Sequence, residues 1–324
     1  EILTRITSRL NATICKSTLA LGNWVKVGAS IGISTAPQDG NSPDEIMKTA
    51  DIALYRAKAE GRGKAIFFNA AMAEEISKRR RLQADLEDAI NQQKLELYYQ
   101  PILSVKERRV KSFEALMRWR HPELGFISPA EFIPLAEETG LISDVGAWAL
   151  RSACSTAAQW PDDIAVSVNL SAAQFRGAGV GDIDGIEFIV RDALQRASLP
   201  PQRLQLEVTE TLLLDDKSET WATLAKLKEL GISIALDDFG TGYSSLGYLR
   251  RFPFDKIKID QSFVRDLGER PDSITIVKAI SDLSNTLGMV CVAEGVETLE
   301  QLQFIEAAHC GEMQGYLFSR PVPV

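Results

Sequence analysis

"SETWATLAKLKELGISIALDDFG", residues 218–240, changes period halfway. Up to Gly231 it reads as a helix. Beyond it, Ile234 and Leu236 alternate with Ala235 and Asp237, the period of two that marks a strand. The strand ends in two neighbouring carboxylates, Asp237 and Asp238, followed after Phe239 by Gly-Thr-Gly.

The same alternation recurs on both sides of this stretch. Strand-like segments are "LELYYQPIL", "VKSFEALMRW", "AVSVNLS", "LQLEVTE", "SIALDDFG", "DKIKID", "MVCVAEGVE" and "EMQGYLFS", and helical stretches such as "SITIVKAISDLSNTLG" separate most of them. Strands alternating with helices over this length predict an α/β fold, a modified (β/α)8 TIM-like barrel over residues 93–324, since such barrels take about 250 residues. The first two strands are joined only by "SVKERR", too short for a parallel crossover, so the first strand is expected to run antiparallel. Upstream, residues 1–69 read as helix, strand pair, helix and strand, too few elements for a closed core. "NAAMAEEISKRRRLQADLEDAINQQ" contains neither Gly nor Pro and places Leu82, Leu86 and Ile90 at helical spacing, which predicts one connecting helix over residues 70–92.

Composition sets the surroundings. The chain of 324 residues is 45% hydrophobic and 25% charged, ordinary for a globular protein, with a net charge of -8. That acidity argues against a nucleic-acid polymer or an anionic membrane surface as the main partner, and a phosphate ligand would need local cations. Cys15, Cys154, Cys291 and Cys310 form no metal or disulfide pattern and read as reduced thiols in a cytoplasmic compartment. No apolar run is long enough to span a bilayer. The chain starts at Glu1 in a helix-like pattern, so a longer parent with an upstream sensor or membrane anchor stays open.

In the barrel reading, Val166, Val168, Leu206, Ile234, Leu236, Ile257 and Ile259 face the helices. Their alternates face the axis, and these are polar: Glu114, Asn169, Glu207, Asp237, Lys258, Glu294 and Gln314, each late in its strand, where barrel enzymes build their sites. With Asp238 this makes five carboxylates against one lysine, a repulsion that bound cations would relieve. Oxygen ligands with one Asn carbonyl suit Mg²⁺ or Mn²⁺ better than Zn²⁺. His121 and His309 lie in loop-like contexts and read as surface or packing residues. Adjacent aspartates share a site only where the strand bends, and Gly240 and Gly242 are expected to supply the bend. Paired ions held there would clamp a phosphodiester, activate a water and steady the leaving alkoxide. Glu210, three residues beyond Glu207, is out of phase for a second ligand and is expected to anchor the "FGTGYSSL" loop.

At these residues the chain resembles the EAL family of cyclic di-GMP phosphodiesterases, through "FEALMRW" (113–119), "VNLS" (168–171), "EVTE" (207–210), "DDFGTGYSSL" (237–246), "KID" (258–260), "AEGVE" (293–297) and "QGYLFSRP" (314–321). The resemblance covers roughly residues 80–324. It implies hydrolysis of cyclic di-GMP to linear pGpG with two Mg²⁺ or Mn²⁺ ions, with Ca²⁺ inhibitory. It also implies ligands for one ion in Glu114, Asn169, Glu207 and Asp237, and for the other in Asp237, Asp238 and Glu294. Lys258, with Glu294 or Gln314, would position the water, while Arg118, Gln100, Asp260 and Glu297 would contact substrate. A homodimer is suggested by the same resemblance. Residues 1–69 resemble the back half of a GGDEF domain through "VGASIGIS", "ADIALYRAKAEGRG" and "AIFF"; the half carrying the nucleotide signature is absent from this sequence, so no cyclase activity is expected of it. The alternative to an enzyme is a catalytically silent receptor for cyclic di-GMP that signals through the connecting helix. Such a receptor would be expected to have lost ligands, and none of the acidic positions is vacant here.

Overall fold

The alternation of residues 233–240 closes into a ring of eight strands. In the computed structural model, which describes residues 2–20, 23–92, 94–175, 185–214, 218–240, 246–268 and 270–324, the strands are β1 (Leu95–Ser104), β2 (Val110–His121), β3 (Ala165–Leu170), β4 (Leu204–Thr209), β5 (Ser233–Phe239), β6 (Lys256–Ile259), β7 (Val290–Ala293) and β8 (Glu312–Met313). β1 pairs antiparallel with both β2 and β8, and the remaining neighbours round the ring pair in parallel. The short "SVKERR" connection is therefore a hairpin, as its length dictates. Two further strands extend the ends: Gly125–Ile127 pairs with the last residues of β2, and Val322–Pro323 with Tyr98 and Tyr99 of β1.

Parity along each strand divides the side chains. Val166, Leu204, Leu206, Ile234, Leu236, Ile257 and Ile259 are fully buried in the core between ring and helices, each contributing roughly 1.5–3 kcal/mol by its burial. The helix Ile142–Ala157 shows how the outer layer is written: Val145, Ala149, Leu150, Ala153, Cys154 and Ala157 are buried, a stripe at steps of three and four. Two strands stop well short of their sequence segments, by four residues or more. β7 stops at Ala293, before Gly295 at φ +71, and β8 stops at Met313, so Glu294 and Gln314 stand just past the strand ends.

Residues 1–85 form a separate compact unit and residues 86–324 the barrel unit; the division falls within the helix Ala70–Asn91. In the first unit the helix Pro43–Ala59 joins two parallel strands, Ile31–Ile33 and Ala65–Phe67, and starts in a capping box between Ser42 and Glu45. Gly32 is required there, because a Cβ would stand 2.1 Å from the Ala50 carbonyl. Of the strand pair read within residues 1–69, Asn23–Val25 pairs with Thr18–Ala20 and Ile31–Ile33 with Ala65–Phe67. No described helix is long and apolar enough to cross a membrane.

Candidate active site

The ring's mouth gathers the polar alternates. Glu114 of β2, Glu207 of β4, Asp237 of β5 and Lys258 of β6 are buried, and Gln314 follows β8 into the same space. Lys258 is 1% exposed, and its Nζ lies 2.5 Å from Glu207 Oε2, 2.6 Å from Glu294 Oε1, 3.2 Å from Asp237 Oδ1 and 3.6 Å from Glu114 Oε2. One ammonium thus serves four carboxylates. Burial alone would lower the lysine, but the carboxylates, Asp237 first, outweigh it and hold the ammonium well above its usual range.

The carboxylates divide by their partners. Glu114 accepts hydrogen bonds from Asn169 Nδ2 at 2.6 Å and Gln314 Nε2 at 2.7 Å. Burial works against its charge, yet Lys258 and these amides prevail and its pKa falls. Glu207 is pushed up to about 8 by burial, with Lys258 pulling the other way. Glu294 is held well above the carboxylate range by burial, again against Lys258. Asp238 reaches solvent but is pushed up to about 6 by its partial burial and by Asp237 and Asp260.

Asp237 and Asp238 do share the mouth, but the bend is not where the glycines suggested. Between β5 and β6 the register passes from Leu236↔Ile257 to Phe239↔Ile259, one extra residue on β5. That is a bulge. Asp238 itself takes φ +53, and Gly240 continues at φ +96; Gly242 lies outside the described residues. The bulge lets two consecutive side chains face the mouth while Leu236 and Phe239 both stay in the core.

Asp237, Asp238 and Glu294 each offer an oxygen within 4.8 Å of the others, a set of hard oxygen donors that fits a divalent cation. Asn169 stands opposite Glu207 in register, but it turns its amide nitrogen toward Glu114. Gln100, opposite Glu114 on β1, accepts from Gln314 Nε2 at 3.1 Å and donates to the Ser319 carbonyl at 3.1 Å. Glu297 lines the same cavity of about 250 Å³, which also holds Glu114, Asp237, Lys258 and Glu294.

Other predicted residues are placed elsewhere. Arg118 lines a neighbouring cavity of about 710 Å³ with Met117, Ile133, Ile142 and Leu170, and its guanidinium lies 5.5 Å over the Tyr98 ring. The two cavities share Leu116 and Asn169. Asp260 caps the helix Gln261–Arg265 while staying close enough to the mouth for its charge to act on Asp238. Glu210 is buried at the start of the helix Glu210–Leu214; the loop it was expected to anchor, 241–245, lies outside the described residues. His121 ends β2 rather than lying in a loop, meets the Trp119 ring edge to face and accepts from the backbone of Glu123 and Leu124, a packing role. Sequence reading missed the layer beneath the carboxylates, where Ser167 and Gln205 face the axis; carrying the alternation two residues back from Asn169 and Glu207 finds both.

The family model of the EAL domain matches residues 83–321. The chain belongs to the EAL family. EAL phosphodiesterases are metal-dependent in general, in keeping with the acidic cluster at this EAL barrel's mouth. The model of the diguanylate cyclase GGDEF domain matches residues 1–64, upstream of the EAL barrel. The bifunctional diguanylate cyclase/cyclic di-GMP phosphodiesterase MucR of Pseudomonas aeruginosa is 43% identical over 303 residues, 92% of this chain and 43% of that protein. The cyclic di-GMP phosphodiesterase NbdA of the same organism is 41% identical over 314 residues, 95% of this chain and 39% of that protein. The solved PaMucR phosphodiesterase in complex with c-di-GMP superposes with a TM-score of 0.70 at 44% identity, covering 75% of this chain and 98% of that one. The chain spans under half the length of the curated relatives it matches.

Proposed function

We propose that the EAL barrel hydrolyses cyclic di-GMP to linear pGpG. Water adds to one ring phosphorus, the bond from that phosphorus to the ribose 3′ oxygen breaks, and the product carries a 5′ phosphate and a free 3′ hydroxyl. The observation that carries this reading is the mouth itself: four carboxylates converge on one buried lysine, and a fifth, Asp238, stands with two of them in a set of oxygen donors within 4.8 Å of one another.

In this reading Glu114, Asn169, Glu207 and Asp237 hold one divalent ion, and Asp237, Asp238 and Glu294 hold the other, Mg²⁺ or Mn²⁺. Such ions neutralise phosphate charge, acidify a water and stabilise the leaving oxygen. Lys258, with Glu294 and Gln314, orients the water and keeps the anionic cluster from repelling the phosphate. Arg118 meets a phosphate at the edge of the larger cavity, whose mostly apolar lining suits a purine base; Gln100, Asp260 and Glu297 contact the rest of the nucleotide. Ca²⁺ inhibits, because it takes more ligands at longer bonds than Mg²⁺. By the same resemblance the active unit is a homodimer, to be checked by light scattering of the full chain; a sensor would belong to a longer parent.

A turnover assay tests the reading. Linear pGpG should accumulate with Mg²⁺ or Mn²⁺ and stop with EDTA or Ca²⁺. Tight binding of cyclic di-GMP with no product under any of these ions would make the chain a receptor instead.

A further inference from the structure

One layer below the carboxylates the ring interior stays polar. Barrels usually fill this level with branched apolar side chains, yet Ser167 and Gln205 lie there at 0% and 2% exposure, facing each other in register on β3 and β4. Buried polar groups cost stability unless hydrogen-bonded, and these are bonded in a definite sense. Gln205 Nε2 donates to Ser167 Oγ at 2.8 Å and to Glu207 Oε1 at 3.0 Å. The other oxygen of Glu207 accepts from Lys258 at 2.5 Å. Both oxygens of the carboxylate are thereby tied, one from below and one from the side, and rotation about its last bond is blocked.

The chemistry of the pair is one-directional. A carboxylate that holds a cation is ionised and only accepts, and an amide NH₂ is a neutral donor of two hydrogens, so Gln205 can bind Glu207 and Ser167 at once without adding charge to the site. We infer that Gln205 is a positioning residue, which fixes the carboxylate plane of Glu207 and through it the affinity of the mouth for divalent cations, while touching neither cation nor substrate. This rests on reading the mouth as a cation site.

Mn²⁺ alone is titrated into the full chain by calorimetry, at a temperature where circular dichroism shows each variant folded. Gln205→Met, similar in volume without a donor, should weaken Mn²⁺ binding about ten- to a hundredfold, the usual effect of removing a group that orients a metal ligand; turnover at saturating Mn²⁺ should stay within about threefold of wild type. Gln205→His, which returns a ring N–H, should recover most of the loss. Unchanged binding in Gln205→Met, or equal loss in the Met and His variants, overturns the inference, the latter because it assigns the effect to packing. If Gln205→Met does not fold, Ser167→Ala carries the test, with about threefold weaker binding expected as the amide loses its second partner and unchanged binding overturning it. A wild-type chain that binds no Mn²⁺ defeats the cation-site reading; wild-type binding with an indifferent Gln205→Met defeats this inference alone.

Discussion

The backbone N–H of Asp238 donates to Asp237 Oδ1 at 2.9 Å, from a residue held at φ +53. The two aspartates are thus joined through the bulge as well as through any shared ion. A left-handed conformation costs a non-glycine residue about 1–2 kcal/mol, so the backbone and carboxylate roles of Asp238 separate by substitution. Asp238→Gly should melt no lower than wild type in EDTA and gain less stability from Mn²⁺, whereas Asp238→Ala should lose on both counts. Asp237→Asn should fold and lose turnover. Wild-type Mn²⁺ stabilisation in Asp238→Gly would remove that carboxylate from the ligand set.

Removing the lone ammonium should be costly. Lys258→Met leaves the buried Glu207 and the half-buried Glu294 without their counter-charge, and breaking a buried pair from one side costs about 3–5 kcal/mol. Protonation of those carboxyls offsets part of this. Thermal melts at pH 7 should show a large drop in EDTA and a larger Mn²⁺-induced recovery than in wild type. An unaltered melt in EDTA would mean that the lysine is not the cluster's counter-ion.

Two raised carboxyls set a pH dependence. Glu207 at about 8 and Asp238 at about 6 both lie above the value of about 4 for an unfolded chain. The metal-free fold therefore holds protons that the unfolded chain releases, and this contribution to stability is complete below about pH 4 and is lost as pH rises through 6 and then 8. Cation binding has the opposite sign, since ligands must be deprotonated. Mn²⁺ affinity should rise between pH 6 and 8 with proton release, seen as a buffer-dependent heat in calorimetry; pH-independent binding without released protons would contradict it.

The first unit should be dispensable for chemistry. The EAL match begins at residue 83, beyond the segment matched by the GGDEF model. Deleting residues 1–69 should leave turnover within about tenfold, or 1.4 kcal/mol in the barrier. A complete loss would make the segment part of the catalytic unit.

Strand parity made most of the mouth legible in the sequence. Asn169, Glu207, Asp237 and Lys258 follow from alternation alone, because a barrel strand turns alternate side chains to the helices and to the axis, and apolar Ile257 and Ile259 mark the helix side. Three things escaped it. The bulge at Asp237 and Asp238 depends on register against β6, which no local pattern encodes. Arg118 keeps the inward phase of Glu114 but stands four residues further along β2, past the rim, so equal phase did not mean an equal cavity. The partners of Asn23–Val25 were hidden because short alternating strands fit more than one neighbour.

The reversed first strand has a consequence for how such a barrel is carried in a longer chain. In register, Leu95 meets Trp119 and Gln100 meets Glu114, so the polypeptide comes into the ring at the carboxylate end, about 17 Å beyond their level. Val322 leaves paired with Tyr99 of that same strand. Incoming and outgoing polypeptide therefore part from one stave of the ring, a cassette geometry: flanking sequence can be exchanged without rethreading a strand, and tension applied at either junction is delivered to the stave that carries Gln100.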